Sequence, residues 1–271
     1  MLPCASTHPD IAVSALDKST SYGTTVSPFL DLLRSRATVP AEVGSSWGIA
    51  EYVGALAAPR PEPVLDGIGR LDRGRLRALV RAMAQPPSAE INRARLAKLL
   101  DIPASTLPPY IDALERLGVV LLVPGTRSAV AKRAISRPRV VFTDPAQARE
   151  LAGLSAAQLV LMSGRARLAP LLYGMVAVAL RDQGLRVTHL RERNGLKVDL
   201  LVELPDETVY GLEVRTAAGV RPHQFAALES LANRAGPRFR GGVVLNTAPV
   251  GHEHAHRLWS LPISSVWETD G

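Results

Sequence analysis

At 271 residues, with 46% hydrophobic and 21% charged side chains, the chain has the composition of an ordinary globular protein with a sizeable core. The formal net charge of +7 rests on 28 arginines against 4 lysines, a balance compatible with nucleic acid as a partner and, as readily, with genome base composition. No apolar run reaches the roughly 18 residues a bilayer requires, and the lone Cys4 excludes an internal disulfide framework, so no membrane partner is expected and a reducing, cytoplasmic location is.

Residues 1–68 hold Ser, Thr, Pro and Gly in short clusters, with brief apolar runs at Phe29-Leu30 and Leu32-Leu33. This predicts an irregular, partly disordered segment with one or two short helices. Asp10 and the lack of a basic opening stretch argue against a secretory signal. Gly44-Ser45-Ser46-Trp47-Gly48 has the G-x-S-x-G spacing of a nucleophile elbow. That turn needs a strand before it, a helix after it, and acid and histidine partners downstream. Here it follows Thr-Val-Pro-Ala-Glu and no such alternation follows, so a plain loop is expected.

Residues 69–143 carry the first clear periodicity. Leu76, Leu79, Val80 and Met83 keep helical spacing, and Pro86-Pro87 ends that helix. Asn92 is placed to cap a second helix through Leu96, Leu99 and Leu100. A third uses Ile111, Leu114 and Leu117 and stops at Gly118. Short strands follow at 119–123 and 140–142 around a long loop containing Gly125. Three helices and a two-stranded wing predict a winged helix-turn-helix. Its recognition helix opens on Ala104-Ser105-Thr106-Leu107-Pro108-Pro109, with Ser105 or Thr106 as the expected cap. Prolines stand where base-reading side chains are needed, so sequence-specific readout is not expected. The wing differs: Arg127, Lys132, Arg133, Arg137 and Arg139 occur with no acid among them. Such a run suits phosphate contacts without base readout, or is simply a solvated basic loop.

Residues 144–271 read as an α/β (α+β) domain with one mixed sheet flanked by helices. Asp144-Pro145 opens a helix, and a second, apolar on most faces, runs over 168–182 to Gly184, which predicts burial against a sheet. A strand at 187–193 leads through the Asn194-Gly195 turn into the stretch 196–216. A helix over 222–235, a strand at 242–246 and a closing strand or turn at 258–267 complete the order.

The stretch 196–216 is the chemical centre of this reading. Val198, Leu200, Val202 and Leu204 alternate with Lys197, Asp199 and Glu203, and Tyr210, Leu212 and Val214 alternate with Glu213 and Arg215. A turn centred on Asp206 sets Asp199 opposite Glu213, with Cβ atoms about 5 Å apart. Two facing carboxylates with Arg215 beyond them form a candidate site for a divalent cation and a phosphate. Glu192, on the preceding strand, is an alternative third acid without motif support. His252, His254 and His256 alternate as a metal cluster might require, but no cysteine accompanies them and an exposed loop is the simpler reading. Trp259 and Trp267 alternate with apolar neighbours and are expected in the core rather than as a stacking platform.

Several segments together, LAKLLDIPASTLPPYIDALERLGVV, RPRVVFTD, HLRERNGLKVDLLVE, YGLEVRTA and HRLWSLPISSVW, resemble the C-terminal domain of unknown function carried by bacterial and archaeal AAA-type ATPases. The resemblance covers about 190 residues, from near Leu76 to Trp267. It implies a winged-helix segment followed by a fold similar to PD-(D/E)XK nucleases. Asp199 is then the motif aspartate, Glu213 the second carboxylate, and Arg215 the position usually held by lysine. The chain departs from that pattern in four ways. No G-x-x-x-x-G-K-[ST] phosphate-binding loop occurs, so the chain looks like the separated C-terminal part and ATP hydrolysis by that route is not expected. Tyr173 stands where an acid is expected on the apolar helix. Arg215 stays charged but is a poor proton donor, because a guanidinium holds its proton too firmly. The recognition helix carries prolines in place of basic residues.

The expectation is therefore a non-ATPase accessory or interaction protein with a degenerate nuclease-like domain. It would bind nucleic acid weakly and without sequence preference, or a separate protein partner, and need no cofactor. The alternative is a Mg²⁺-dependent DNA endonuclease in which Asp199 and Glu213 are the metal ligands. A truncated ATPase remnant is a third reading.

Overall fold

The computed structural model describes residues 43–45 and 47–267. Phe29-Leu30, Leu32-Leu33, Cys4 and Ser46 lie outside the described residues. The architecture is mixed α/β: helices packed around a seven-stranded sheet in the order β1 (Val43–Gly44), β8 (Val250–Ala255), β9 (Leu258–Pro262), β7 (Phe239–Asn246), β6 (Val209–Val214), β5 (Lys197–Glu203) and β4 (Arg186–Arg191), with a separate two-stranded ladder of β2 (Val120–Val123) and β3 (Arg139–Phe142).

Helix Arg73–Met83 begins at Asp72, whose carboxylate accepts from the Arg75 N–H at 2.7 Å, and buries Leu76, Leu79, Val80 and Met83. Asn92 caps helix Arg93–Leu99 by accepting from the Arg95 N–H at 3.0 Å. The third helix, Leu107–Arg116, starts differently from expectation. A 3₁₀ turn over Ala104–Thr106 winds straight into it, and Thr106 makes no capping bond. The reason lies in the prolines. A cap side chain accepts from the second or third helical N–H, and here those positions are Pro108 and Pro109, which have none. Gly118, at φ +67°, ends the helix. Strands β2 (Val120–Val123) and β3 (Arg139–Phe142) then pair antiparallel, and β3 is also bridged on its other edge by Glu90.

Asp144 caps helix Pro145–Leu151 through the Ala146 and Gln147 N–H groups. The central helix, Arg165–Asp182, buries side chains around its whole circumference from Leu171 to Leu180. It can do so because the main sheet lies on one side and the N-terminal helices and ladder on the other, in one continuous apolar cluster. That cluster runs without a break across residues 143 and 144.

Strands β4 (Arg186–Arg191), β5 (Lys197–Glu203) and β6 (Val209–Val214) form an antiparallel meander. β7 (Phe239–Asn246) adds parallel to β6, and β9 (Leu258–Pro262) parallel to β7. The outer helix, Ala226–Ala235, closes the second face: Phe225, Leu228 and Leu231 meet Val198, Leu201, Val209, Val244 and Leu258. The expected loop at 250–255 is instead strand β8 (Val250–Ala255), antiparallel to β9 and bordered by β1 (Val43–Gly44). Its sequence hides it because most of its side chains are exposed, so it lacks apolar alternation.

Before residue 69 the described residues include one short helix of the kind expected there. Helix Ile49–Ala57 buries Tyr52, Val53 and Leu56. Trp47, Tyr52 and Trp267 pack ring to ring, with centroids 5.3 to 6.3 Å apart. The Ser264 N–H donates to the Tyr52 hydroxyl at 2.9 Å, tying this helix to the chain's last described turn.

Candidate functional site

The hairpin 196–216 turns at Asp206, and its register pairs Leu200 with Leu212 and Glu203 with Val209. Asp199 and Glu213 stand one step further along the same register. The faces, however, are not those of simple alternation. Between the pairs Leu190–Val198 and Thr188–Leu201, β4 supplies one residue and β5 supplies two, Asp199 and Leu200. This is a β-bulge, and it reverses the parity of the strand. Val198 packs under the outer helix while Leu200 and Val202 pack on the side of the central helix, so Val198, Leu200 and Val202 share no single face. The bulge lets Asp199 sit beside Arg139 and Tyr173 on the central-helix side while Leu200 stays in the core.

Asp199 is 9% exposed and Glu213 3%. The Asp199 N–H donates to Glu213 Oε1 at 3.3 Å, and the Val214 N–H to Asp199 Oδ2 at 3.2 Å. Arg215 bridges both acids: its Nη1 lies 3.0 Å from Asp199 Oδ2, and its Nη2 donates to Glu213 Oε2. Lys197 Nζ and Arg139 Nη1 each stand 3.7 Å from Asp199 Oδ1. Two carboxylates thus face three cations. Burial and the Asp199 charge push the Glu213 carboxyl up to about 7, outweighing the pull of Arg215 in the opposite direction. The Arg215 guanidinium is held more firmly protonated: its burial works against the charge, and the two acids overcome it.

Tyr173 is buried on the central helix, and the Arg139 guanidinium lies over its ring at 4.1 Å. Its phenol, pushed up by burial, stays neutral. Glu192 does not join the acid pair. It accepts from the Lys132 N–H at 2.8 Å and from Arg234 at 2.7 Å, so it holds a loop to the outer helix.

That loop, 124–138, is the expected wing tip, and it is fastened along the free edge of β4. Gly125 bridges His189, and Ala134 bridges Glu192. The Thr126 N–H donates to the His189 carbonyl at 2.8 Å and the Ile135 N–H to the Arg191 carbonyl at 2.7 Å. The His189 ring, 2.9 Å from the Arg137 carbonyl, must donate there, and burial lowers its basicity. Arg127, Lys132, Arg133 and Arg137 are exposed. Arg139 is not: it turns inward to Tyr173, the Ser88 carbonyl (3.1 Å) and Asp199, and so leaves the basic run. Sequence spacing could not reveal Arg191 and Arg193, which the β4 edge brings beside Arg137.

A hollow of about 1090 Å³ lies at the far end of the hairpin, near Asp206. Its charges cancel locally, Arg186 on Glu203 at 3.0 Å and Arg240 on Asp206 at 2.5 Å. Of the three histidines, His254 stacks on Phe225 with ring centroids 4.0 Å apart and stands at a bulge in β8. Among the described residues no group of three or more His, Cys, Asp or Glu could hold a metal ion. Trp259 is buried in β9. No described helix is long and apolar enough to cross a membrane.

Two parts of the chain match domains of unknown function: residues 64–158 match DUF8612, and residues 171–266 match DUF4143. The first covers the three helices between Arg73 and Arg116, the ladder and the fastened loop, and leaves out helix Ile49–Ala57. The second runs from within the central helix to the end of the sheet. No curated protein and no solved structure matches the chain.

Proposed function

We propose that this chain is a non-catalytic accessory protein, a winged-helix unit joined to a degenerate nuclease-like domain, that holds nucleic-acid backbone through the exposed cations of the loop 124–138. The observation that carries it is Arg215, whose guanidinium spans Asp199 and Glu213 and takes the place a divalent cation would need. Every oxygen of the two acids already faces a backbone N–H or a cation, and three cations leave no negative charge for Mg²⁺ to neutralise. Tyr173 supplies no third carboxylate. The donor set therefore does not fit a hard cation that requires several oxygen ligands. DUF4143 is commonly associated with AAA-type ATPases, which favours a partner context of that kind for the accessory role.

Arg127, Lys132, Arg133 and Arg137 support the binding half of the reading. They are exposed, carry no ion pair among the described residues, and sit on a loop fastened to the β4 edge by backbone hydrogen bonds. Guanidinium and ammonium groups so placed contact phosphates without reading bases, and such binding weakens steeply with salt. The test is incubation with plasmid and single-stranded DNA, with and without Mg²⁺ or Mn²⁺, alongside a mobility-shift titration. No cleavage is expected, together with a salt-sensitive shift that Arg127→Gln, Lys132→Gln and Arg133→Gln in combination largely remove. Metal-dependent cleavage abolished by Asp199→Ala would overturn the non-catalytic reading, and an undiminished shift in the triple variant would overturn the loop.

A further inference from the structure

Resting on the loop reading above, we infer that the hollow between the fastened loop and the end of β4 is a subsite for a phosphate monoester, in the first place the terminal phosphate of a nucleic-acid strand. The hollow measures about 430 Å³ and is lined by Ser136 and Arg137 of the loop, Arg191 at the end of β4, Arg193 before the Asn194-Gly195 turn, and Glu90. Three elements far apart in sequence supply these groups, and backbone bonds set their positions. The Ile135 N–H donates to the Arg191 carbonyl at 2.7 Å, the Ile91 N–H to the Pro138 carbonyl at 2.8 Å, and the Glu192 N–H to the Leu196 carbonyl at 2.8 Å.

The charges select the ligand. Glu90 pairs with Arg191 at 2.7 Å and cancels it. Arg137 and Arg193 have no ion-pair partner among the described residues, and the Ser136 hydroxyl has no hydrogen-bond partner there. Three arginines less one acid leave +2. A phosphate monoester carries about −1.5 to −2 at pH 7, whereas an internal phosphodiester or a carboxylate carries about −1. Guanidinium forks bind tetrahedral oxyanions with paired N–H donors. The hollow therefore matches the end of a strand, or a free phosphate of the same chemistry, better than the strand's interior.

The full chain is tested with three probes: inorganic phosphate by calorimetry, and one single-stranded oligonucleotide bearing either a 5′-phosphate or a 5′-hydroxyl. Each is measured on the wild type, on Arg137→Gln with Arg193→Gln, and on Arg93→Gln, an exposed charge on another helix. The expected result is that the 5′-phosphate tightens binding by roughly tenfold, as charge-assisted bonds to both arginines allow. That gain and the phosphate binding are lost only in the double variant. If both oligonucleotides bind alike and the double variant matches Arg93→Gln, this inference is overturned while the loop reading stands. If neither oligonucleotide binds but inorganic phosphate does, and only without the double change, the loop reading fails and the hollow is kept for small phosphate monoesters. Absence of phosphate binding, with no preference for the phosphorylated end, overturns the subsite.

Discussion

At the scale of single residues, the acid pair is decided by what surrounds it. Arg215 and Lys197 come from the hairpin itself, but Arg139 arrives from β3 and Tyr173 from the central helix. A buried carboxylate pair costs several kcal/mol of desolvation unless cations answer it, and these three do. Glu213 still titrates high, up to about 7, because burial and Asp199 together exceed the attraction of Arg215. Its folded-state value lies above the ordinary 4.5, so its contribution to stability is complete below about pH 4.5 and is lost as pH rises through about 7. Glu213→Gln removes that titration. Urea midpoints measured from pH 4 to pH 8 should fall less in the variant than in the wild type; parallel curves would show that folding leaves the Glu213 carboxyl unshifted.

At the scale of elements, the loop 124–138 changes role between sequence and structure. Read as a string it is a basic wing tip; folded, it covers the edge strand of the main sheet, which would otherwise expose unpaired backbone groups. Gly125 makes this possible. A Cβ there would stand 2.5 Å from the Ile135 carbonyl oxygen and 3.0 Å from the Ser136 Cα, both backbone atoms that cannot rotate away. Gly125→Ala should therefore lift the loop from β4, cost about 1–3 kcal/mol as overpacking does, and speed amide exchange at Thr126 and Ile135 while β6 and β7 stay protected. Unchanged exchange at both amides would mean that the edge does not depend on this contact. Glu192, placed among the acids by sequence, belongs to the same fastening through Lys132 and Arg234.

At the scale of the molecule, two periodic halves share one core. Leu76, Ile111 and Phe142 from the N-terminal half lie in the same apolar cluster as Leu172, Leu212 and Leu261. Helix Ile49–Ala57 also joins it and is pinned to Ser264 near the other end of the described chain. A fragment cut at 143/144 would expose the inner face of the central helix, so neither half should unfold cooperatively alone, whereas the full chain should show a single transition by circular dichroism. Cooperative melting of the isolated fragment 144–271 would contradict the shared core.

Much of this was legible in the residues. The caps at Asn92 and Asp144, the apolar central helix, the Asn194-Gly195 turn and the hairpin about Asp206 follow from local rules, because capping, turn chemistry and periodicity act within a few residues. The sequence alone also determined the two acids and the arginine two residues beyond. Only the tertiary structure decided what they amount to. The bulge at Asp199 arises from pairing with β4 and β6, the inward turn of Arg139 from packing on Tyr173, and the union of Arg137 with Arg193 from the loop closing on a sheet edge. Strand β8 and the place of the helix at 49–57 escaped the sequence for related reasons: β8 keeps most side chains exposed and so lacks apolar alternation, and the helix takes its aromatic partners from residues some 200 positions away, so no local period records either.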